Sequence, residues 1–188
     1  MTESLRGSIT SVGFASGHRF VVGHWRASPI GPFSDVMWAD PGGRRVLVAS
    51  PPVAEFVRSV YPFEEVRPFE VGVEAAARHA VVSAGDISLS YSLSWWAVNF
   101  PPRPRWITAT AENWISRRLL GVQTYGVSPT GVSEWYRTRS LRWITAASAS
   151  LNGTDLGPMS ELDRPLGFGF TDPPRRPCRV ELRVDLKR

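Results

Sequence analysis

The stretch Asp86-Ile87-Ser88-Leu89-Ser90-Tyr91-Ser92-Leu93-Ser94-Trp95 alternates every second residue, with Ile87, Leu89, Tyr91, Leu93 and Trp95 on one side and four serines on the other. Only an extended strand sorts that pattern into two faces, because successive side chains of a strand point in opposite directions. The run Val180, Leu182, Val184, Leu186 against Glu181, Arg183, Asp185 repeats the logic near the C-terminus, with a charged face expected to meet water. Weaker strand patterns cover residues 9–14, 19–25, 35–39, 45–49, 65–73, 78–84, 122–127, 132–139 and 141–151. Turn-forming clusters separate them, among them Ser16-Gly17, Asp40-Pro41-Gly42-Gly43, Ser128-Pro129-Thr130-Gly131 and Asn152-Gly153.

Many short strands joined by short turns predict a mainly β fold, either a closed barrel or a strongly curved double antiparallel sheet. Two segments break the alternation and are expected as short helices. Residues 50–61 begin with Ser50, a capping residue, followed by Pro51 and Pro52, and place Val53, Phe56, Val57 and Val60 on one side. Residues 106–120 place Ile107, Ala111, Trp114, Ile115 and Leu119 at helical spacing and stop at Gly121. Pro101-Pro102-Arg103-Pro104-Arg105 reads as a stiff connector within one unit. With 188 residues, 43% of them hydrophobic and 21% charged, the chain is read as a single β-barrel-like domain over 1–188.

Composition excludes more chemistry than it names. Of the 22 basic side chains 21 are arginine, and Lys187 is the single lysine. A guanidinium does not deprotonate to serve as a Schiff-base amine, and P-loop, kinase-like and pyridoxal-phosphate sites each need a lysine at a defined place. The single cysteine, Cys178, cannot form an intramolecular disulfide and is read as a structural thiol. The first residues hold no apolar run of signal-peptide length and no 18-residue apolar stretch follows, so a cytoplasmic location without membrane association is expected.

The net charge of +5 is uneven: residues 1–100 sum to −1, residues 101–145 to +5 and residues 146–188 to +1. In the middle segment Arg103, Arg105, Arg117, Arg118, Arg137, Arg139 and Arg142 alternate with Trp106, Trp114, Trp135, Tyr136 and Trp143. Arginine beside aromatic rings suits single-stranded nucleic acid, so a nucleic-acid-binding surface over residues 103–142 is one alternative. Two others are a guanidinium gripping the carboxylate of a small ligand, and ordinary solvated arginines.

His18, His24 and His79 form no metal-binding spacing; His18 and His24 lie ~20 Å apart along an unbroken strand. No metal and no cofactor is therefore expected. His24 is a candidate general base, with a hydrogen-bonded strand histidine as the structural alternative. Gly126-Val127-Ser128-Pro129-Thr130 lacks the closing glycine of a hydrolase elbow, and Gly167-Phe168-Gly169-Phe170 reads as a bend rather than half of a dinucleotide fingerprint. The serines opposite Ile87 would be a soluble outer face, or the roomy wall of a cavity if they point inward.

Pro29-Ile30-Gly31-Pro32-Phe33-Ser34-Asp35 resembles the Pro-x-Gly-Pro-Tyr-x-Glu stretch of acetoacetate-decarboxylase-like proteins, and a strand at 45–49 and a short helix follow in that superfamily's order. The resemblance spans about 35 of 188 residues. It implies a Gly-Pro turn leading into a strand that carries a carboxylate, here Asp35, into a β-barrel cavity. It also implies a Schiff-base lysine after a Pro-Lys pair, which this chain lacks, so the family's usual decarboxylation does not carry over.

These readings combine into an expected β-barrel protein enclosing an apolar or carboxylate-bearing small molecule, compatible with self-association into a homo-oligomer. The alternative is a lysine-independent lyase or isomerase acting on a keto or hydroxy acid, with Asp35 and His24 as catalytic acid and base. Arg26, Trp38, Tyr91, Arg137 and Arg139 are the candidate ligand contacts.

Overall fold

A computed structural model describes residues 2–100, 125–169 and 171–187. Its strands are Thr2–Phe14 (β1), Arg19–Ala27 (β2), Phe33–Ala39 (β3), Arg45–Val48 (β4), Glu65–Arg67 (β5), Val71–Ala75 (β6), His79–Ala84 (β7) and Ile87–Leu93 (β8). They continue with Val98–Asn99 (β9), Tyr125–Val127 (β10), Ser133–Leu151 (β11), Thr154–Asp155 (β12), Met159–Ser160 (β13) and Cys178–Lys187 (β14); the single helix among the described residues is Pro51–Arg58 (α1). The strands form one mixed sheet in the order β5-β4-β3-β2-β1-β14-β11-β8-β7-β6, with β9, β10 and β12 added on β11 and β13 on β1. Pairing is antiparallel except between β4 and β5.

The sheet curls so that β3 and β6 come into contact, but β5 and β6 remain its two ends. The closed barrel is thereby corrected to one open, strongly curved sheet. The second expected helix, residues 106–120, lies outside the described residues.

Curvature comes from β11. Two expected strands merge into this 19-residue strand, whose first half pairs with β14 and whose second half pairs with β8. Register shifts at Thr138/Ser140 and Ile144/Ala146 mark irregularities that bend it between the two halves. The expected strand at 65–73 instead divides into β5 and β6, because Pro68 has no N–H to give a ladder. Asn152 and Gly153 both take positive φ, 52° and 76°, and close the β11–β12 hairpin as the sequence pattern anticipates.

One face of the sheet folds onto itself around a dry core. Phe14, Phe20, Val22 and Trp38 from β1–β3 meet Val82, Leu89 and Tyr91 from β7 and β8. Each fully buried aliphatic or aromatic side chain contributes roughly 1.5–3 kcal/mol relative to exposure. Ile87, Leu89, Tyr91 and Leu93 all point into this core, so Ser88, Ser90 and Ser92 face outward and Ser90 Oγ meets Ser148 Oγ at 2.9 Å. Ser88, Ser90 and Ser92 therefore belong to the outer surface and not to a cavity wall, whereas Ser94, past the end of β8, is buried and donates to the Trp96 carbonyl at 2.7 Å. Trp95 departs from its expected side: β8 ends at Leu93, and the indole is 77% exposed.

Helix α1 buries Val53, Ala54 and Val57, with Pro51 and Pro52 in its first turn where an N–H is dispensable. Ser50 precedes it but makes no side-chain cap; its carbonyl accepts the Ala54 N–H at 2.8 Å. At the other end of the chain, the charged face of β14 is not wholly wet. Asp185 is fully buried, where it accepts hydrogen bonds from Ser4 and from Arg183 Nε at 2.9 Å and pairs with Arg137 at 2.5 Å.

Cys178 begins β14, with its Sγ 3.7 Å from Ser11 Oγ, and burial pushes its thiol up to about 11. A thiolate is scarce and inaccessible there at neutral pH. Labelling of the folded protein with a thiol reagent is expected to be at least about a hundredfold slower than labelling in denaturant; equal rates would show that the thiol is accessible.

Candidate active site in an apolar cavity

The other face of the sheet carries a cavity of ≈ 180 Å³. Strand alternation assigns its wall. Val21, Gly23 and Trp25 of β2 and Phe33, Asp35 and Met37 of β3 line it, while Phe20, Val22, Val36 and Trp38 between them enter the dry core. Val180, Leu182, Val184 and Leu186 of β14 extend the wall towards Tyr136 and Thr138 of β11. Phe56 and Val57 of α1, followed by Val60 and Tyr61, cover it, and residues 168–174 contribute Phe168, Thr171 and Asp172.

Asp35 is the buried acid of this wall, 1% exposed. Its Oδ1 accepts the Trp25 indole N–H at 3.3 Å, and its Oδ2 has no hydrogen-bond partner among the described residues. Burial disfavours the carboxylate and lifts the group to about 7, against which the Trp25 bond pulls only weakly downward. Gly23, directly opposite Asp35 in the β2–β3 register, makes the arrangement fit: a Cβ there would lie 2.3 Å from Asp35 Oδ1 and 2.7 Å from Trp25 Nε1.

A second polar group lies at the β11 side. Tyr61 and Tyr136 both line the cavity, and their hydroxyls meet at 2.6 Å. Behind them stands Glu134, 0% exposed, whose Oε2 accepts from Tyr61 and from Tyr136, the latter at 2.9 Å. Burial raises Glu134 to about 7 although both phenols favour its charged form, and burial raises both phenols well above their ordinary value. Among the described residues no arginine, lysine or histidine lines the cavity. Asp172, the remaining carboxylate on its wall, is tied into its own loop by the Leu166 N–H at 2.8 Å and the Gly167 N–H at 3.2 Å.

Of the candidate residues, Asp35 is the one that lines the cavity. His24 and Asp35 do not meet, because they project from opposite faces of the same sheet. His24 Nδ1 lies 2.9 Å from Ser34 Oγ, and its pKa is lowered by burial first and then by Arg179 and Arg26. Arg26 pairs with Glu181 at 2.6 Å on the side away from the cavity. Trp38 belongs to the dry core, where its Nε1 donates to His18 Nδ1 at 2.9 Å, and Tyr91 meets Thr10 Oγ1 there at 3.2 Å. Arg137 neutralises Asp185, and Arg139 is exposed. The arginine grip on a carboxylate is thus absent from the described wall.

Glu134 is not among the candidate residues, and Tyr136 enters the sequence reading only as one of the aromatics beside the arginines, yet with Val132 they share one face of a strand pattern, and a lone carboxylate on a face that also buries valine marks a special site. Tyr61 has no such signal, since it lies beyond the helix and is brought over the sheet by tertiary packing alone. No cluster of three or more metal-ligating side chains occurs among the described residues, and none of their helices is long and apolar enough to cross a membrane.

Fold and site together define a class: a mostly β protein whose single curled sheet has a filled core on one face and an acidic, otherwise apolar cavity on the other. No family model matches the chain, and no curated protein matches it. Among solved structures it is similar to an acetoacetate decarboxylase from Legionella pneumophila subsp. pneumophila str. Philadelphia 1, with a TM-score of 0.47 and 8% identity over 98% of this chain and 84% of that one. It is also similar to a second acetoacetate decarboxylase structure, with a TM-score of 0.44 and 8% identity over 98% of this chain and 83% of that one.

Proposed function

We propose that the cavity binds a small, neutral, mainly apolar organic molecule that presents an oxygen to Asp35. The observation that carries this reading is the Asp35 carboxyl itself, buried in an apolar wall with one oxygen unpartnered among the described residues. A buried polar atom left in that state costs on the order of 1–3 kcal/mol, and a ligand hydroxyl or carbonyl recovers it. The volume of ≈ 180 Å³ is comparable with a cavity of about 150 Å³ that takes up benzene, so the occupant has roughly ten non-hydrogen atoms or fewer. A carboxylate-bearing ligand fits less well, because an ionised Asp35 repels it and no cation lines the described wall.

The position of Asp35 near 7 favours a second reading in the same cavity. Both its acid and its base forms are populated at neutral pH, as a group that shuttles a proton at a carbon next to a carbonyl requires. On this reading the protein is a lysine-independent isomerase or lyase, with Asp35 as acid/base and without His24. Exchange of the α-hydrogens of a neutral ketone in deuterated water, followed by NMR, separates binding from chemistry: catalysed exchange abolished by Asp35→Asn supports turnover, and exchange at the uncatalysed rate restricts the site to binding.

The binding reading is tested with neutral medium-chain ketones and alcohols by calorimetry, together with native mass spectrometry for a co-purifying molecule. Wild-type protein is expected to bind them, and Leu182→Trp, which fills the cavity from β14, is expected to abolish binding while the β circular-dichroism spectrum persists. Binding unaffected by Leu182→Trp, or no binding by the wild type, overturns the reading. Of the described arginines of the nucleic-acid alternative, Arg137 pairs with Asp185 and Arg142 donates to the Ser94 and Trp95 carbonyls at 2.8 and 3.2 Å, which leaves Arg139 as the exposed one. Residues 103–124 of that surface lie outside the described residues.

A further inference from the structure

The Tyr61–Tyr136–Glu134 cluster is too costly to be a packing accident. It sets a fully buried carboxyl against two half-buried tyrosines, and Glu134 Oε1 has no hydrogen-bond partner among the described residues. Both tyrosines line the cavity, and their hydroxyls meet Glu134, which does not itself line it. A cluster serving only to hold β11 to the segment after α1 would be replaced at lower cost by apolar side chains of similar volume.

Its position separates it from Asp35. Asp35 sits on β3 and Tyr136 on β11, with β2, β1 and β14 between them in the sheet. Four interstrand spacings amount to ~19 Å along the sheet, which curvature and the reach of Tyr61 from the α1 side shorten. The two polar groups are therefore different ends of one apolar cavity.

Proton counting defines what the cluster can offer. Three oxygens, Tyr61 Oη, Tyr136 Oη and Glu134 Oε2, touch one another pairwise, which makes three contacts. With Glu134 ionised there are two protons for those contacts. Turning a hydroxyl outward then strips the buried carboxylate of a donor, so the phenols meet a ligand mainly as acceptors. With Glu134 protonated there are three protons, and one hydroxyl can turn to a ligand while two contacts stay bridged.

We propose that Tyr61, Tyr136 and Glu134 form a second ligand subsite, that the occupant is an aliphatic molecule with an oxygen function near each end, and that the subsite donates to a carbonyl only when Glu134 carries its proton. This rests on the reading that the cavity binds a neutral apolar molecule with its first oxygen at Asp35. The groups that act on Glu134 from the packed elements are Tyr61 and Tyr136. Asp35 titrates in the same range from the far end of the cavity, and its contribution is common to all variants of the cluster.

The test compares three probes by calorimetry: a medium-chain ketone, the same ketone with a terminal hydroxyl, and the corresponding diketone. In the wild type the terminal hydroxyl is expected to raise affinity about three- to tenfold over the simple ketone at either side of neutral pH. The second carbonyl is expected to do so at about pH 6 and to lose that gain at about pH 8, because Glu134 is then ionised. Tyr61→Phe and Tyr136→Phe, which remove one oxygen each, should reduce both gains while leaving the simple ketone bound. Glu134→Gln, whose amide donates at every pH, should make the carbonyl gain independent of pH. If the simple ketone does not bind, the cavity reading fails and this inference with it. If the ketone binds but the second oxygen adds nothing, or if its gain survives unchanged in both phenylalanine variants, the inference is overturned and the cavity reading stands.

Discussion

Replacing Asp35 by asparagine is expected to stabilise the folded protein at pH 8 and to leave it nearly unchanged at pH 4. Asp35 is held at about 7 when folded, against 3.8 in the unfolded chain, so the folded state binds the extra proton between those values. Stability associated with this group is therefore fully present below about 3.8 and is lost as pH rises through about 7. A difference of about three pKa units corresponds to on the order of 4 kcal/mol, an amount Asp35→Asn should recover above pH 7, since the amide retains the Trp25 bond and carries no charge. Glu134, raised from 4.5 to about 7, works in the same direction and steepens the wild-type decline over the same window. Glu64 has the opposite sign, because Arg45 holds it at about 2, but its loss of stability falls below pH 4.5 and is weakened by solvent screening. Urea midpoints measured from pH 4 to pH 8 at constant m-value check the sign. A wild-type stability that is flat or rises across the window would mean that Asp35 is ionised and solvated in the folded state.

Gly23→Ala is expected to cost about 3 kcal/mol and to abolish ligand binding. The added Cβ would approach Asp35 Oδ1 to 2.3 Å and Trp25 Nε1 to 2.7 Å, so the carboxyl and the indole must both leave their places. Both are closed off from the surface, Asp35 at 1% and Trp25 at 8% exposure, so the direction left to them is into the cavity, where they would occupy the ligand's place. A double-mutant cycle identifies the cause. In an Asp35→Ala background the nearer obstacle is gone, and Gly23→Ala should cost at least about 1 kcal/mol less, the remainder reflecting Trp25. Strictly additive losses would mean that Gly23 is required by the β2 backbone and not by the carboxyl opposite it.

Local patterns foretold the elements that local physics governs. The serine alternation of β8 and the valine–leucine alternation of β14 need nothing beyond the period of a strand, and the Asn152-Gly153 turn needs only the positive φ those residues accept. Helix α1 followed from its prolines and its apolar stripe. That a Gly31-Pro32 turn leads Asp35 into a strand facing a cavity was implied by the family resemblance and not by local pattern; Asp35 lies on the cavity wall. Trp95 and Asp185 were misjudged for one reason: alternation states which residues share a side but not where the strand ends or what lies against that side.

The amino-acid sequence by itself determined that the chain is mainly β, where most of its strands and turns fall, and that it carries no internal lysine for amine chemistry, because each of these depends on near neighbours or on side chains simply being present. Only the tertiary structure decided that β14 lies between β1 and β11, that His24 and Asp35 look to opposite sides, that Arg137 serves a buried aspartate, and that Tyr61, Tyr136 and Glu134 converge. Those outcomes depend on which faces of distant strands bury each other. That choice is made by the burial free energy of the whole curled sheet, a sum over contacts far apart in the chain that no local pattern contains.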